Sequence, residues 1–535
     1  MGLLELLIVA VGLAALMLAE LAVCKPRIVM DGPFWLDECL TNQIVQDPSI
    51  GHSIQAIRHG VDTNPPVYHL IARGYWKVFG RVFRDSPRVT LRSLSLLCTW
   101  LALVGVYALL RRGISIWPAV LGVLAVWAHP DVVEQAFEAR FYGPLLAATV
   151  AMCLTLRIQG NSIPRGILVA LTAALLCTLH YFGIIILGSI CFAMVLIDSE
   201  PTRSRQSRSG STFRGTDPNA PPEHQVRERT PWHLQPVGDR LIRLLPAAAG
   251  PIALAPFLWF VHTQAAGLTV KTWLDPYSPF LAGQFMVDVL CTLPLLAAVV
   301  AWVIGQLLPP SIIKTRSADR QPLLEAAVPL LAMVLVPIAI IVFSATVQSA
   351  LRPRYAIAAA LILAPITAML AAPLGRYVLV GVAIALSSLT VMKLHGEASY
   401  RETQLQVLTD NRDTLESQSP ALPIYLTDRG NATELLNFAP ELFPRMHLLD
   451  LRKRGIYLTN YRLYETRMIG KVNAFYPLPP LVRVDRLEGV GKFNLIAPNE
   501  DMLTLLQEQP LDHIDGMVYR ATVISKNIPA DIPRQ

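Results

Sequence analysis

Apolar positions in the first 395 residues come in long unbroken runs, not at the spacing of a half-buried helix or strand. The first, Leu3–Val23, contains Glu5 and Glu20 and no Lys or Arg. At roughly 1.5 Å of rise per residue it can cross a hydrocarbon core. A cleaved signal peptide is the competing reading, but a cationic n-region and a clear small-residue cleavage site are missing. Further runs lie at about 92–110, 117–129, 142–156, 166–179, 182–197, 244–261, 283–305, 326–346, 355–372 and 377–394. They predict roughly eleven helical spans, because only a helix satisfies its own backbone polar groups inside lipid.

Between the runs the pattern is polar in three different ways. The loop at roughly 24–90 is long and contains helical pieces: in "DTNPPVYHLIARGYWKVFG", Asn64 is expected to cap a helix that lies at the membrane interface, with Tyr68, Tyr75 and Trp76 at headgroup level. The segment 199–243 is rich in Ser, Arg and Pro, and is expected to be a disordered cytoplasmic loop. After residue 396 the runs stop. There "LPIYLTD", "RMHLLDL", "FNLIAP" and "GMVYRATVIS" alternate with helical stretches, which predicts a small α/β domain over 396–535. Its "NAT" triplet at 431–433 is formally a glycosylation sequon.

Composition fixes the class. With 53% hydrophobic and 16% charged residues, the chain is too apolar for a soluble protein of 535 residues. It reads as a mainly α, polytopic membrane bundle of about eleven spans over 1–395, followed by the α/β domain. Lys and Arg near span ends stay cytoplasmic, which puts the N-terminus and the Arg-rich 203–243 segment inside. An odd span count then puts the C-terminal domain outside, on the same side as Asp37. Arg140, Arg352 and Arg354 fall on that outer side against the rule, as expected of a site for something anionic, with snorkelling as the alternative. Membrane orientation and anionic headgroups account for the net charge of +7 without nucleic acid. Of seven cysteines, Cys24 and Cys39 could share an oxidising compartment, and their pairing is left open.

The chemistry-bearing residues collect at the predicted outer edges. "FWLDECLTNQI" places Asp37 and Glu38 just beyond the first span. Asp37 is either a helix N-cap with Glu38 in the first turn, or a general base beside an apolar wall. In "QAFEARFYG", a helix would put Glu138 and Tyr142 one turn apart, with Arg140 pointing elsewhere. "LHYFG" supplies His180 and Tyr181, and "RPRYA" supplies Arg352 and Arg354.

"WLDE", "NPPVYHLI", "SPRVTLRSLS", "EARFYG", "LHYFG" and "RPRY" follow one another in an order that resembles bacterial GT-C glycosyltransferases of the protein-mannosyltransferase and aminoarabinose-transferase type. The resemblance covers roughly residues 1–395. It implies an inverting, multi-pass enzyme of the bacterial inner membrane. Such an enzyme moves a sugar from a polyprenyl-phosphate carrier to an envelope glycan, lipid or protein acceptor on the outer face, among membrane lipids. It also implies that Asp37 is the catalytic carboxylate, with Glu38 completing an acidic pair, and that Glu138, Arg140 and Tyr142 form the second-loop motif. Many relatives carry an Asp near the Tyr142 position, sometimes with a divalent metal, so a metal here is open and Glu138 is the substitute ligand. Arg140, Arg352 and Arg354 would bind the donor phosphate, and Tyr142, His180 and Tyr181 the sugar or phosphate. The rival reading is a transporter or flippase, which is expected to bury ionisable groups near mid-membrane; these spans are almost free of charge.

Overall fold

The computed structural model describes residues 2–158, 163–196, 237–266, 277–290, 292–307, 327–347, 350–418, 422–426, 429–450, 471–483 and 494–496. Among the described residues six helices are long and apolar enough to cross a membrane: Leu3–Val23, Pro87–Leu110, Leu241–Phe260, Ala327–Thr346, Pro353–Ala371 and Arg376–Asp413. Two bent helix pairs are together long and apolar enough to do so, Ile116–Trp127 with Pro130–Ala136 at 71° and Pro279–Leu290 with Leu293–Gln306 at 60°. Tyr142–Leu156, Ile163–Leu179 and Gly183–Val195 are shorter apolar helices. Each of the eleven apolar runs thus lies on a helix or bent pair, and the protein is a multi-pass membrane bundle. Most of the expected loop over 199–243 lies outside the described residues, as do "GMVYRATVIS" and part of the C-terminal domain.

The 71° bend has a local cause. A proline disfavours helical backbone at the residue before it, and His129, which precedes Pro130, is extended (φ −66°, ψ 128°). The short Pro130–Ala136 helix that follows ends in a turn over 137–141, and the Tyr142–Leu156 helix begins only after it. The expected continuous helix through Glu138 and Tyr142 is therefore absent. Arg140 is aimed by that turn and not by helical periodicity. Gly143 lets the turn approach the Pro87–Leu110 helix closely, since a Cβ there would sit 2.4 Å from the Ser95 carbonyl oxygen.

The first outer loop is built of helices. Pro26–Asp31, Leu36–Gln46, Ile50–Arg58 and Val67–Phe79 follow in order. The last is amphipathic: Tyr68, His69, Ala72 and Arg73 are buried, while Leu70, Ile71, Val78 and Phe79 are exposed, as suits an interfacial helix. Pro66, not Asn64, occupies its N-cap position. The Asn64 side chain is used elsewhere, donating to Asp62 Oδ1 at 2.5 Å. Cys24 and Cys39 are both buried free thiols, so the pairing left open by the sequence is not made.

The last span does not stop at residue 395. Helix Arg376–Gln418 runs on for 43 residues, roughly 65 Å, and carries the chain into the small domain. That domain holds a parallel sheet of β1 (Ile424–Leu426), β2 (Met446–Asp450), β3 (Leu481–Arg483) and β4 (Asn494–Ile496) in the order β3-β2-β1-β4. β3, in "LPPLVRV", is a strand that the alternation of polar and apolar residues does not announce. The first loop is divided between two cores. Phe34, Cys39 and Val45 pack into the bundle core, whereas Leu40, Ile44, Ile57 and Val61 join Leu408, Leu415, Ile424 and Leu435 in a second core.

Candidate active site

Asp37 and Glu38 lie in the first turn of the Leu36–Gln46 helix, whose N-cap residue is Trp35. Adjacent helical residues are separated by about 100° around the axis, so the two carboxylates face different surroundings. Glu38 does the capping, accepting the Trp35 backbone N–H at 3.3 Å. Asp37 is therefore not the N-cap, and its carboxylate is left for other partners.

Glu38 is fully buried. Arg92 donates to it in a two-pronged fork, Nε to Oε1 at 2.9 Å and Nη2 to Oε2 at 2.7 Å, and the Ala139 N–H adds a bond of 2.7 Å. Burial alone would push the Glu38 carboxyl up, but the Arg92 guanidinium holds it below the ordinary carboxylate value. Arg92 also donates to the carbonyls of Val29, Met30, Gly32 and Pro33. From the long last helix, Arg401 donates to the carbonyls of Val29 and Phe137 at 2.8 and 3.0 Å. This knot ties the first loop to the bundle.

Asp37 is different. Its side chain is 30% exposed, and its Oδ2 lies 3.7 Å from Arg140 Nη2 and 3.9 Å from Arg354 Nη2. These are ion pairs at longer range than hydrogen bonds, so the carboxylate has lone pairs to spare beside two cations. Arg140 is itself committed. Its Nη1 donates to Asp62 Oδ2 at 2.9 Å, to Thr41 Oγ1 at 3.2 Å and to the Asp37 carbonyl at 3.2 Å. Asp62 is buried, and its Oδ2 is also 3.2 Å from His69 Nε2. Burial would raise the Asp62 carboxyl, but Arg140 and His69 hold it far below the usual range. Arg354 is less engaged. Its guanidinium lies over Trp35 at 5.2 Å and Tyr355 at 5.7 Å, and its buried Nε has no hydrogen-bond partner among the described residues.

Behind the arginines stands an aromatic wall. His180 stacks on Phe141 at 4.3 Å and 18°, and lies nearly parallel to Tyr355 at 6.0 Å. Burial, with Arg140 and Arg354 nearby, pushes its imidazole down to about 3, so it is neutral at working pH. Tyr142 is buried against Phe141 at 4.2 Å. Glu138 is buried with Oε2 unpartnered, and burial together with Glu134 and Glu38 drives its carboxyl well above the ordinary value.

The structure thus gathers Asp37, Arg140, Arg354, Tyr142 and His180, with Glu138 behind them. Two expected members stand apart. Tyr181 turns its hydroxyl to the Phe257 carbonyl at 3.5 Å, and Arg352 is exposed without an ion-pair partner among the described residues. Among the described residues no group of three or more His, Cys, Asp or Glu side chains could hold a metal. The donor set explains this: Asp37 and Asp62 face arginines, Glu38 is saturated, and Glu138 sits where its neutral form is favoured. The residues do not fit a resident metal. Sequence reasoning passed over Asp62, His69, Arg92 and Arg401. Arg92 had a usable signal, a cation at the very start of the 92–110 apolar run, where burial calls for a partner.

No family model matches the chain, and no curated protein matches it in sequence. Among solved structures, ArnT from Cupriavidus metallidurans bound to undecaprenyl phosphate aligns with a TM-score of 0.53 at 12% identity, over 93% of this chain and 94% of that one. The apo state of the same protein aligns with a TM-score of 0.51 at 12% identity, over 93% and 95%. The chain therefore shares its overall fold with these ArnT structures.

Proposed function

We propose that the chain is a membrane glycosyltransferase that takes a sugar from a polyprenyl-phosphate donor and passes it, with inversion, to a hydroxyl or amine of an envelope acceptor. The observation that carries this reading is the partly exposed Asp37 carboxylate held between Arg140 and Arg354 at the end of a membrane bundle. As the acceptor oxygen or nitrogen attacks the anomeric carbon, Asp37 takes its proton. The bond from that carbon to the phosphate oxygen breaks, and the electron pair leaves with the polyprenyl phosphate. Phosphate is already a good leaving group, so cations and not a proton donor are required.

The two arginines divide the work. Arg140 is neutralised by Asp62 and fixes the Asp37 backbone, so it positions the base. Arg354, whose side chain is 21% exposed against 7% for Arg140, is the cation for the donor phosphate. The aromatic wall of Phe141, His180 and Tyr355, its rings stacked on one another, closes the site behind the arginines. Ionisable residues in this cluster sit at the span ends, which favours a surface enzyme over a transporter.

Asp37→Asn tests the reading. An amide cannot accept the acceptor's proton, so transfer from a defined polyprenyl-phosphate sugar is expected to fall about a hundredfold or more in a folded protein. Near-normal transfer by that variant rejects Asp37 as the base. We place this face and the C-terminal domain outside the cell membrane. Reporter fusions at residues 215 and 450 should report opposite sides.

A further inference from the structure

We infer that the C-terminal α/β domain is part of the catalytic apparatus, and that its Glu434 is a positioning residue for Asp37. This rests on the reading of Asp37 as the base. Glu434 lies in the Arg429–Phe438 helix of that domain, almost four hundred residues along the chain from the Asp37 turn. Its Oε1 accepts the backbone N–H of Leu36 at 3.1 Å. Gln404, on the long last helix, donates to the other oxygen at 3.3 Å, which fixes the carboxylate from behind.

The position of this contact gives it a role beyond docking. The first N–H groups of a helix have no partner within it. Glu38 takes that of Trp35, and Glu434 takes that of Leu36, the residue immediately before Asp37. An anion at this end also complements the helix dipole. The Asp37 carboxylate meets its arginines at 3.7 and 3.9 Å, a loose geometry that depends on where the first turn is held. At the far end of the same helix, Asp47 accepts a hydrogen bond from the Tyr476 hydroxyl at 3.1 Å, a second bond from the same domain. Between these ends, Leu40 and Ile44 enter the core of that domain. The helix bearing Asp37 is thus held by the outer domain along its length, and among the described residues of that domain it is Glu434 whose side chain bonds the backbone of the turn that carries the carboxylate.

The experiment uses the purified full chain with a defined polyprenyl-phosphate sugar and an acceptor that supports turnover. Glu434→Ala is expected to lower kcat about tenfold or more while donor KM stays within about twofold, because a displaced base slows chemistry more than binding. Glu434→Gln keeps an oxygen for the Leu36 N–H and is expected to restore most of the rate. Tyr476→Phe loosens the domain contact at the far end of the helix and is expected to leave kcat within about twofold of the parent. If the alanine variant does not fold, Glu434→Asp, one methylene shorter, is expected to lower kcat in the same direction. A parent-like kcat in the folded alanine or aspartate variant overturns the inference. So does an equal fall in Tyr476→Phe, or no recovery in Glu434→Gln. An active Asp37→Asn protein overturns the reading of the base itself, whereas an inactive Asp37→Asn beside a parent-like Glu434→Ala removes only the role of Glu434.

Discussion

Two arginine–carboxylate regions meet on one short helix, one residue apart, and they are built to opposite specifications. In the deep region Arg92 and Glu38 are each fully buried, hydrogen-bonded at 2.7 and 2.9 Å, and every remaining valence is filled by backbone. In the outer region Asp37 is partly exposed, and its carboxylate lies 3.7 and 3.9 Å from Arg140 and Arg354, beyond hydrogen-bonding range. A buried charge pair must be saturated to be tolerated, and a saturated pair has nothing left for a substrate. The contrast separates the carboxylate that holds the loop in place from the one that can react.

The largest expected effect comes from breaking the deep pair. Glu38→Ala leaves Arg92 buried without its counter-ion, and Arg92→Ala strands Glu38 and four carbonyls as well. Each is expected to cost about 3–5 kcal/mol, enough to lose most of the folded protein, with Arg92→Ala the worse. Thermal unfolding and yield of monodisperse protein in detergent measure this. A Glu38→Ala protein of parental stability that fails only in catalysis would merge the two regions into one site.

The second effect is expected on the outer side. Arg354→Lys should weaken donor use roughly tenfold with little change in melting temperature, because an ammonium cannot reproduce the planar fork that fits phosphate. Arg140→Lys should lower the melting temperature as well, since Arg140 bonds Asp62, Thr41 and the Asp37 carbonyl. Equal stability losses in both variants would erase the division between positioning and phosphate binding. Donor KM, kcat and melting temperature, measured on the same preparations, decide it.

What the sequence discloses follows the same boundary. The spans are legible because each is a long apolar run, and Asp37, Arg140 and Arg354 are legible because charges at membrane ends need a reason. The distinct fates of Asp37 and Glu38 are not, since they depend on Arg92, which lies 54 positions from Glu38 along the chain. A helix through "QAFEARFYG" would put Arg140 on a different face from Glu138 and Tyr142, whereas the helix ends at Ala136 and the turn over 137–141 aims Arg140 instead. Glu434 carries no local signal at all: its role exists only after the long last helix has carried the small domain back onto the first loop.

A smaller effect separates the regions by pH. The Asp62 carboxyl is held below its ordinary value in the folded state, so it binds protons more readily when unfolded, and its contribution to stability is present above that ordinary value. It is lost as pH falls below about 4 towards the depressed folded value. The stability gap between the parent and Asp62→Asn, on the order of 1–3 kcal/mol, should therefore be flat above about pH 5 and shrink on acidification. Melting temperatures of both proteins across pH 3 to 7 (an approximate working window) measure it. A gap that widens towards acid would mean that Asp62 is not ion-paired with Arg140.

The smallest effect is expected at Arg352, two residues before Arg354 in "RPRY". Proline between them holds the backbone away from a helical course, and Arg352 itself is extended (φ −123°, ψ 126°), so the two side chains need not share a direction. Arg354 reaches Asp37 and lies over Trp35, whereas Arg352 stays exposed at the rim. An exposed cation is screened by water and salt and is worth at most about 1 kcal/mol, or roughly fivefold, to an anion nearby. Arg352→Gln is therefore expected to change donor KM by about twofold or less at physiological salt, with the difference vanishing as salt is raised. A loss as large as that of Arg354→Lys, and insensitive to salt, would show that the donor phosphate is gripped from both sides of the proline. The reactive region would then extend beyond the cluster around Asp37.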